Sequence, residues 1–415
     1  MTEPLQRPRR KNPVLRSRAP NQPPGGRSRV ALGMTAAAAL GRFELQVCRD
    51  CGAVQYPPRE ACHKCLSVRL RWQEQADGGE LISSTVLRHS NDLFFRERLP
   101  WRLGMVRLDA GPTIVVHLHA DCPEPPGRVR IRAGLDRAGQ AVLMALPTDE
   151  TPNMADDPQL RELTCDPKFR RVLVTDGKTA TGQAIVKALV DAGADLVWVG
   201  QAEPWKRFPG MDKLDAMPQV HWLPLDVTDS RQVKDCAGSI GAKVDILINN
   251  VEHHRSEGIS SRYGIETARA EMDINYFGLL RLAQEFGPVM RARGADGQNS
   301  ATAWVNLLSI YALANYPAHG TYSASKAAAA SLAQCLRAEM QGANVRVINV
   351  YPGPIDDEWN QMMPPPKLAP SAIARTIVQA LRGSEEDLFP GDVAQDWLAR
   401  FRDNPKALER EIWSS

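Results

Sequence analysis

Apolar positions along this chain keep two different rhythms. Between Gly79 and about Leu146 they form short runs cut by Gly, Pro and Asp: Glu80–Leu87, Leu103–Leu108, Thr113–Leu118, Val129–Ile131 and Gln140–Met144. Short runs bounded by turn residues predict strands, and five of them predict a small Greek-key barrel of the OB type. From Val172 onward the rhythm changes. Apolar, β-branched runs at Val172–Val174, Leu196–Val199, Trp222–Leu225, Ile246–Asn249, Trp304–Leu308 and Val345–Val350 are spaced by helical stretches. One of these, Gly182–Gly193, is stopped by a glycine. Strand–helix alternation predicts an α/β doubly wound, Rossmann-type parallel sheet covered on both faces.

Composition places these rhythms in a multidomain protein. At 415 residues the chain is too long for one ordinary domain. Its 43% hydrophobic and 24% charged residues are ordinary for globular proteins. A net charge of +3 is too small to signal a nucleic-acid partner by itself. The charge is concentrated at the start, where Arg7, Arg9, Arg10, Lys11, Arg16, Arg18, Arg27 and Arg29 face Glu3 alone. That stretch is rich in Pro and Gly, and disorder is expected over residues 1–29, as a solubilising tail or as a docking arm for an acidic surface. A helix, a metal module and the barrel are expected over 30–147, a polar, acidic linker over 148–170, and the Rossmann-type domain over 171–415. No segment reads as a signal peptide or a membrane span, so a cytoplasmic protein is the default expectation.

Cysteine spacing supplies the first chemistry. Cys48-Arg-Asp-Cys51 and Cys62-His-Lys-Cys65 are two Cys-x-x-Cys knuckles, which bring four thiolates to one tetrahedral ion. Four sulfurs close the coordination shell, so zinc here is structural. Gly52 follows the first knuckle, where a tight turn calls for positive φ. Disulfides or a redox pair are the competing readings. His63 inside the second knuckle is a bystander, and Cys122, Cys165, Cys236 and Cys335 are scattered.

Several segments of residues 30–147 together resemble a known family. They are a helix near Val30–Leu40, Gly41-Arg-Phe-Glu-Leu, the first knuckle, Gln55-Tyr-Pro-Pro-Arg59, the second knuckle, Gly78-Gly-Glu-Leu-Ile-Ser-Ser-Thr and Val106-Arg-Leu-Asp109. The family is the acyl-CoA-associated OB-fold proteins with a rubredoxin-like zinc ribbon. The resemblance implies a partner subunit of thiolases or thiolase-like aldolases. A ribbon, a barrel and a basic arm also suit a nucleic-acid binder. That reading needs aromatic platforms on the barrel face, whereas Phe94, Phe95 and Trp101 cluster in one expected loop.

In the second half, Tyr322 and Lys326 lie at i and i+4, one helical turn apart on one face. A nearby ammonium favours the phenolate and brings the tyrosine toward a useful proton-transfer range. Tyr-x-x-x-Lys occurs by chance about once in a chain this long, so other residues must support it. Ser309 lies upstream at a strand end, Asn275 sits in Asp273-Ile-Asn-Tyr-Phe-Gly278, Asn249-Asn250 follows a strand, Asp226-Val227 follows another, and Tyr351-Pro352-Gly353-Pro354 makes a turn. In this order and spacing, residues 171–415 resemble the short-chain dehydrogenase/reductase family. The resemblance implies that Ser309 hydrogen-bonds the substrate oxygen and Tyr322 exchanges the proton. It implies that Lys326 lowers the tyrosine pKa and holds the nicotinamide ribose, and that Asn275 places a relay water. Asn249, Asp226, Pro352 and Gly353 would line an NAD or NADP site with Gly177 and Gly182. It also implies a homo-oligomer.

Four residues depart from that pattern. In Thr175-Asp176-Gly177-Lys178-Thr179-Ala180-Thr181-Gly182 an acid stands where the first family glycine is expected, and Ala180 where the second is expected. Glycines there let backbone N–H groups and a helix N-terminus approach a pyrophosphate. Val251-Glu252 replaces Ala-Gly after the double asparagine. In Gly200-Gln201-Ala202-Glu203 no Asp sits at the strand end for a ribose 2′-hydroxyl and no arginine follows directly for a 2′-phosphate, with Lys206 and Arg207 coming later, which leaves the choice between NAD and NADP open.

Two functions follow. One is an NAD(P)-dependent 3-hydroxyacyl-CoA dehydrogenase fused to an acyl-CoA-binding module that docks a thiolase or thiolase-like aldolase. The other is a non-catalytic, dehydrogenase-like scaffold of such a complex. Asp356–Leu368, with Met362-Met363-Pro-Pro-Pro366, reads as an apolar lid or a plain surface loop. Phe389-Pro-Gly-Asp-Val-Ala-Gln-Asp-Trp397 resembles a dehydrogenase tail.

Overall fold

The computed structural model describes residues 1–10, 21–25, 28–256, 258–261, 263–294, 297–361 and 363–414. They form two compact units. One comprises Met1–Arg7, Asn21–Asp166 and Gly383–Glu385; the other comprises Pro8–Pro20, Pro167–Arg382 and Glu386–Ser415. Lys11, Arg16, Arg18, Arg27 and Met362 lie outside the described residues.

In the first unit, helix α1 (Leu32–Ala38) precedes a three-stranded antiparallel sheet of β1 (Glu44–Cys48), β2 (Val54–Gln55) and β3 (Leu70–Glu74), in the order β2-β1-β3. The sheet carries the two knuckles. The next five strands are β4 (Gly78–Leu87), β5 (Trp101–Leu108), β6 (Thr113–Leu118), β7 (Gly127–Leu135) and β8 (Ala141–Pro147). They close into a barrel, β4-β5-β6-β8-β7. Closure pairs every edge, which removes the exposed ladders of an open sheet. Inward-facing Leu81, Val106, Ile114, Leu118, Val129 and Ile131 fill it, as the period-2 pattern requires. Short helix α2 (Leu93–Arg96) is capped by Asp92, whose carboxylate accepts from the Phe94 and Phe95 amides. Phe94 and Trp101 are buried, and Trp101 donates to His117 Nδ1. The aromatic trio packs on itself rather than presenting a platform for bases.

The expected linker carries helix α3 (Pro158–Glu162), whose N-cap Asp157 accepts from Leu160 N–H and also from Ala120 N–H of the barrel. The first ten residues are packed rather than free. Leu5 N–H donates to Asp156, and in the second unit Arg10 pairs with the fully buried Asp245 at 3.2 Å.

The second unit is a seven-stranded sheet. Its strands are β9 (Arg171–Val174), β10 (Leu196–Gln201), β11 (Val220–Pro224), β12 (Ile246–Asn249), β13 (Ala303–Leu307), β14 (Arg346–Val350) and β15 (Asp387–Leu388). They lie in the order β11-β10-β9-β12-β13-β14-β15, and every pair is parallel. Helices α4 (Ala180–Asp191), α5 (Met211–Asp215), α6 (Ser230–Ile240), α7 (Glu266–Met272), α8 (Leu279–Ala292), α9 (Gly320–Gln341), α10 (Pro370–Arg382), α11 (Asp392–Asp403) and α12 (Pro405–Ser414) complete it. Trp304, Phe286, Leu247 and Leu282 are fully buried between sheet and helices, each burial stabilising by roughly 1.5–3 kcal/mol. Strand order reverses direction at β9, which makes the carboxyl ends of β9 and β12 the crevice where such sheets bind ligands.

Candidate active site and metal centre

Helix α9 is long and rich in small residues, and it turns Tyr322 and Lys326 inward on one face; they are 5% and 2% exposed. Lys326 Nζ donates to the Leu307 carbonyl at the end of β13 (3.0 Å) and lies 5.5 Å from the Tyr322 ring centre. Ser309, two residues beyond β13, starts a 3-10 turn by accepting from Tyr311 N–H, and it lies close enough to the Tyr322 phenol to pull its pKa down slightly against burial. Asn275 sits in a π-helical turn, Asp273–Gly278, between α7 and α8. Its amide donates to Ser325 Oγ and the His253 carbonyl, both at 2.8 Å, and accepts from His253 N–H. Asn275 thereby ties the loop after β12 to α9.

A further side chain completes the cluster. Glu252 Oε2 accepts the Tyr322 hydroxyl at 3.1 Å and pairs with Lys326 Nζ at 3.0 Å. This corrects the expected tyrosine chemistry. Burial and then the Glu252 charge push the Tyr322 pKa well above its ordinary value of 10, the reverse of the lowering expected from Lys326. The ammonium is answered by a carboxylate, so the phenolate gains little from it. Burial opposes ionisation of Glu252, but the Lys326 charge holds its carboxyl below the usual range. Asp357 faces the same acid; burial and the Glu252 charge raise it to about 6.

Sequence reasoning missed the histidines. His254 and His319 are buried with ring centres 5.1 Å apart, and His254 lies 4.6 Å from the Tyr322 ring. Their ring nitrogens have no hydrogen-bond partner among the described residues. Burial lowers both, His319 to about 4, so both are neutral at pH 7. Trp359, within the expected lid, meets the His253 ring edge-on and the His254 ring at a tilt, each with ring centres 5.6 Å apart. Their sequence signal was closeness to the double asparagine and to Tyr322.

At the expected cofactor loop, Thr175 Oγ1 donates toward Asn249 Oδ1 and accepts from Asn250 N–H. Asn250 clamps Asp176 through both backbone groups, at 3.0 and 2.7 Å. The Asp176 carboxylate turns into the loop and accepts from Lys178 N–H at 3.0 Å. Burial raises its pKa, against the pull of the Lys178 and Thr179 amides. Thr179 caps α4 by accepting from Gly182 N–H, so the helix begins at Ala180 rather than at Gly182. A Cβ on Gly182 would stand 2.1 Å from the Asp176 carbonyl, and one on Gly177 would stand 2.2 Å from Val199. Both positions keep the close approach that the glycine loop serves. The Asp226 carboxylate accepts from Thr228 N–H and hydroxyl. Pro352 accepts from Ile310 N–H, which sets the Pro352–Gly353 turn beside Ser309.

The sulfurs of Cys48, Cys51, Cys62 and Cys65 all lie within 4.8 Å of one another, with Cys48–Cys65 at 3.6 Å and Cys51–Cys62 at 3.5 Å. Tetrahedral zinc with Zn–S near 2.3 Å requires sulfurs about 3.8 Å apart, so the set fits the ion. Gly52 takes φ 71°, and Leu66 repeats that left-handed turn after the second knuckle at φ 62°.

These geometries agree with three family models. Residues 35–70 match the ChsH2 rubredoxin-like zinc ribbon domain, 72–136 the ChsH2 C-terminal OB-fold domain, and 170–366 the short chain dehydrogenase family. The chain thus carries a ChsH2-type zinc ribbon and OB fold followed by a short-chain dehydrogenase domain. An uncharacterized oxidoreductase of Mycobacterium tuberculosis is 30% identical over 215 residues, 48% of this chain and 59% of its own length. This chain therefore spans less than two thirds of that relative. Sulfoacetaldehyde reductase 2 of Chromohalobacter salexigens is 28% identical over 192 residues, 45% of this chain and 73% of that protein. A short chain dehydrogenase from Burkholderia cenocepacia, solved in complex with NADP, superposes with TM-score 0.53 at 32% identity over 59% of this chain and 97% of its own. One from Streptomyces avermitilis gives 0.50 at 25%, over 58% and 96%.

Proposed function

We propose that the second unit interconverts a secondary alcohol and a ketone with a nicotinamide dinucleotide, and that the first unit seats the protein beside a thiolase or thiolase-like aldolase acting on acyl-CoA thioesters. The alcohol is then a 3-hydroxyacyl-CoA, because its oxidation gives the 3-oxoacyl-CoA that a thiolase cleaves. The observation that carries the reading is the convergence of Ser309, Tyr322, Lys326 and Asn275 beside the carboxyl ends of β12 and β13. The ChsH2-type module and the NADP bound by the Burkholderia neighbour support its two halves.

Tyr322, Lys326, Asn249, Pro352 and Gly353 would hold the nicotinamide end, and Gly177 and Gly182 the pyrophosphate end. Glu252 occupies Lys326 Nζ here, so these residues would hold a dinucleotide only with that contact broken. When bound, the nicotinamide accepts or returns the hydride at the carbinol carbon. In reduction Ser309 donates to the carbonyl oxygen while Tyr322 gives it a proton; in oxidation Tyr322 takes that proton back. Asn275 keeps the His253 loop and Ser325 in register with the phenol.

A second reading, a non-catalytic scaffold, is favoured by the two acids: Asp176 accepts a loop amide and Glu252 occupies the Tyr322–Lys326 pair. Purified protein with acetoacetyl-CoA and NADH or NADPH tests the first reading through loss of nicotinamide absorbance. No turnover with either dinucleotide, together with no binding at millimolar concentration, leaves the scaffold.

A further inference from the structure

The resemblance assigns Lys326 to a ribose and Tyr322 to a substrate, yet here both are engaged by the chain itself. One carboxylate oxygen, Glu252 Oε2, receives the phenol at 3.1 Å and the ammonium at 3.0 Å. Its side chain is 8% exposed and that of Lys326 2%. The carboxylate is therefore a desolvated counter-ion, whose removal alone leaves an unpaired buried charge. Glu252 lies three residues beyond β12, in the segment that leads to α7, at the crevice of the sheet. His253, next in sequence, is fixed by Asn275 through both backbone groups. The loop thus delivers the carboxylate to the pair by construction.

We propose that Glu252 is an internal occupant of the cofactor site, which holds Lys326 and Tyr322 in the free protein and must be displaced before a nicotinamide dinucleotide docks. This rests on the dehydrogenase reading above. A ribose hydroxyl and the Glu252 carboxylate are alternative partners for one ammonium. The groups facing Glu252 are Lys326 and Tyr322 from α9, His254 from its own loop, and Asp357 from the segment after β14. Of these only Lys326 supplies a positive charge, since His254 is neutral and Asp357 is an acid. The latched state is thus favoured until the dinucleotide replaces the carboxylate. A site available in only a fraction of molecules binds more weakly by that fraction; a latch closed in 90–99% of molecules costs about 10- to 100-fold in affinity.

The test is calorimetric titration of the full chain with NADPH and NADH, for wild type, Glu252→Gly and Glu252→Gln. The expected result is at least about tenfold tighter binding by Glu252→Gly, with Glu252→Gln also tighter than wild type. Equal, tight binding by all three overturns the latch and leaves the dehydrogenase reading standing. No binding by any of them overturns both. A second measurement needs no cofactor: ultraviolet titration of Glu252→Gln against Glu252→Gln/Tyr322→Phe isolates the Tyr322 phenolate. It should form at least about one pH unit lower than in the matching wild-type and Tyr322→Phe pair, because Lys326 is then free to stabilise it. An unchanged or higher phenolate midpoint contradicts the proposal.

Discussion

Tyr322, Lys326 and Glu252 form a three-membered buried network in which removing either charged member leaves the other charge unpaired. Lys326→Met leaves the Glu252 carboxylate buried without its cation, and a loss of about 3–5 kcal/mol is expected in urea unfolding. Lys326→Met/Glu252→Gln removes both charges and should recover much of that loss, so the cycle reads their coupling. Tyr322→Phe removes the proposed proton donor, and turnover should fall about 10²- to 10⁴-fold with the fold intact by circular dichroism. The pH dependence has a definite sign. Glu252 is held below its ordinary value of 4.5, so its contribution to stability is complete above that value and lost as pH falls below it. Wild type should thus lose more stability than Glu252→Gln as pH falls below about 5 and through the lowered Glu252 pKa. At this scale the sequence was partly legible. The residues proposed for proton transfer stood at recognisable spacing, and the acid at Glu252 was visible as a departure. That the acid would reach Lys326 was not, because the contact joins positions that only the packing of the β12 loop on α9 brings together. The burial of His254 and His319 was hidden for the same reason.

At the level of elements, local chemistry decided most boundaries. The barrel strands are short runs bounded by turn residues and the central Rossmann strands are apolar and buried, so these were readable from the sequence, whereas the two-residue, half-buried β15 was not. Helix α4 begins two residues earlier than the glycine suggested, because Thr179 is an N-cap whose hydroxyl accepts from Gly182 N–H. The π-turn at Asp273–Gly278 left no periodic signal. Its extra residue sits at a candidate catalytic asparagine, a common location for such turns. The zinc ribbon is the element whose chemistry is most self-contained. One zinc per chain is expected by elemental analysis, and Cys51→Ser should lose it and unfold the ribbon while the dehydrogenase unit keeps its own melting transition. Gly52→Ala, which puts a Cβ at φ 71°, should cost about 1 kcal/mol in chemical unfolding of the ribbon.

Across the whole molecule, the two units are linked by the chemistry proposed for them. One matches modules of the ChsH2 type, the other a dehydrogenase domain whose proposed product is a thiolase substrate. Among the described residues no helix is long and apolar enough to cross a membrane. The chain is expected to co-purify with a thiolase-like protein through residues 30–147, and to self-associate through the dehydrogenase unit. A truncated protein starting at residue 148 should lose the first interaction and keep the second, as read by light scattering of mixtures. The measurement that tests the central claim most directly is nicotinamide oxidation by the full chain with acetoacetyl-CoA, for wild type, Glu252→Gly and Tyr322→Phe. The account predicts turnover in wild type, tighter dinucleotide use in Glu252→Gly, and a loss of about 10² or more in Tyr322→Phe. Turnover that survives Tyr322→Phe unchanged, or none in any variant with either dinucleotide, would contradict it.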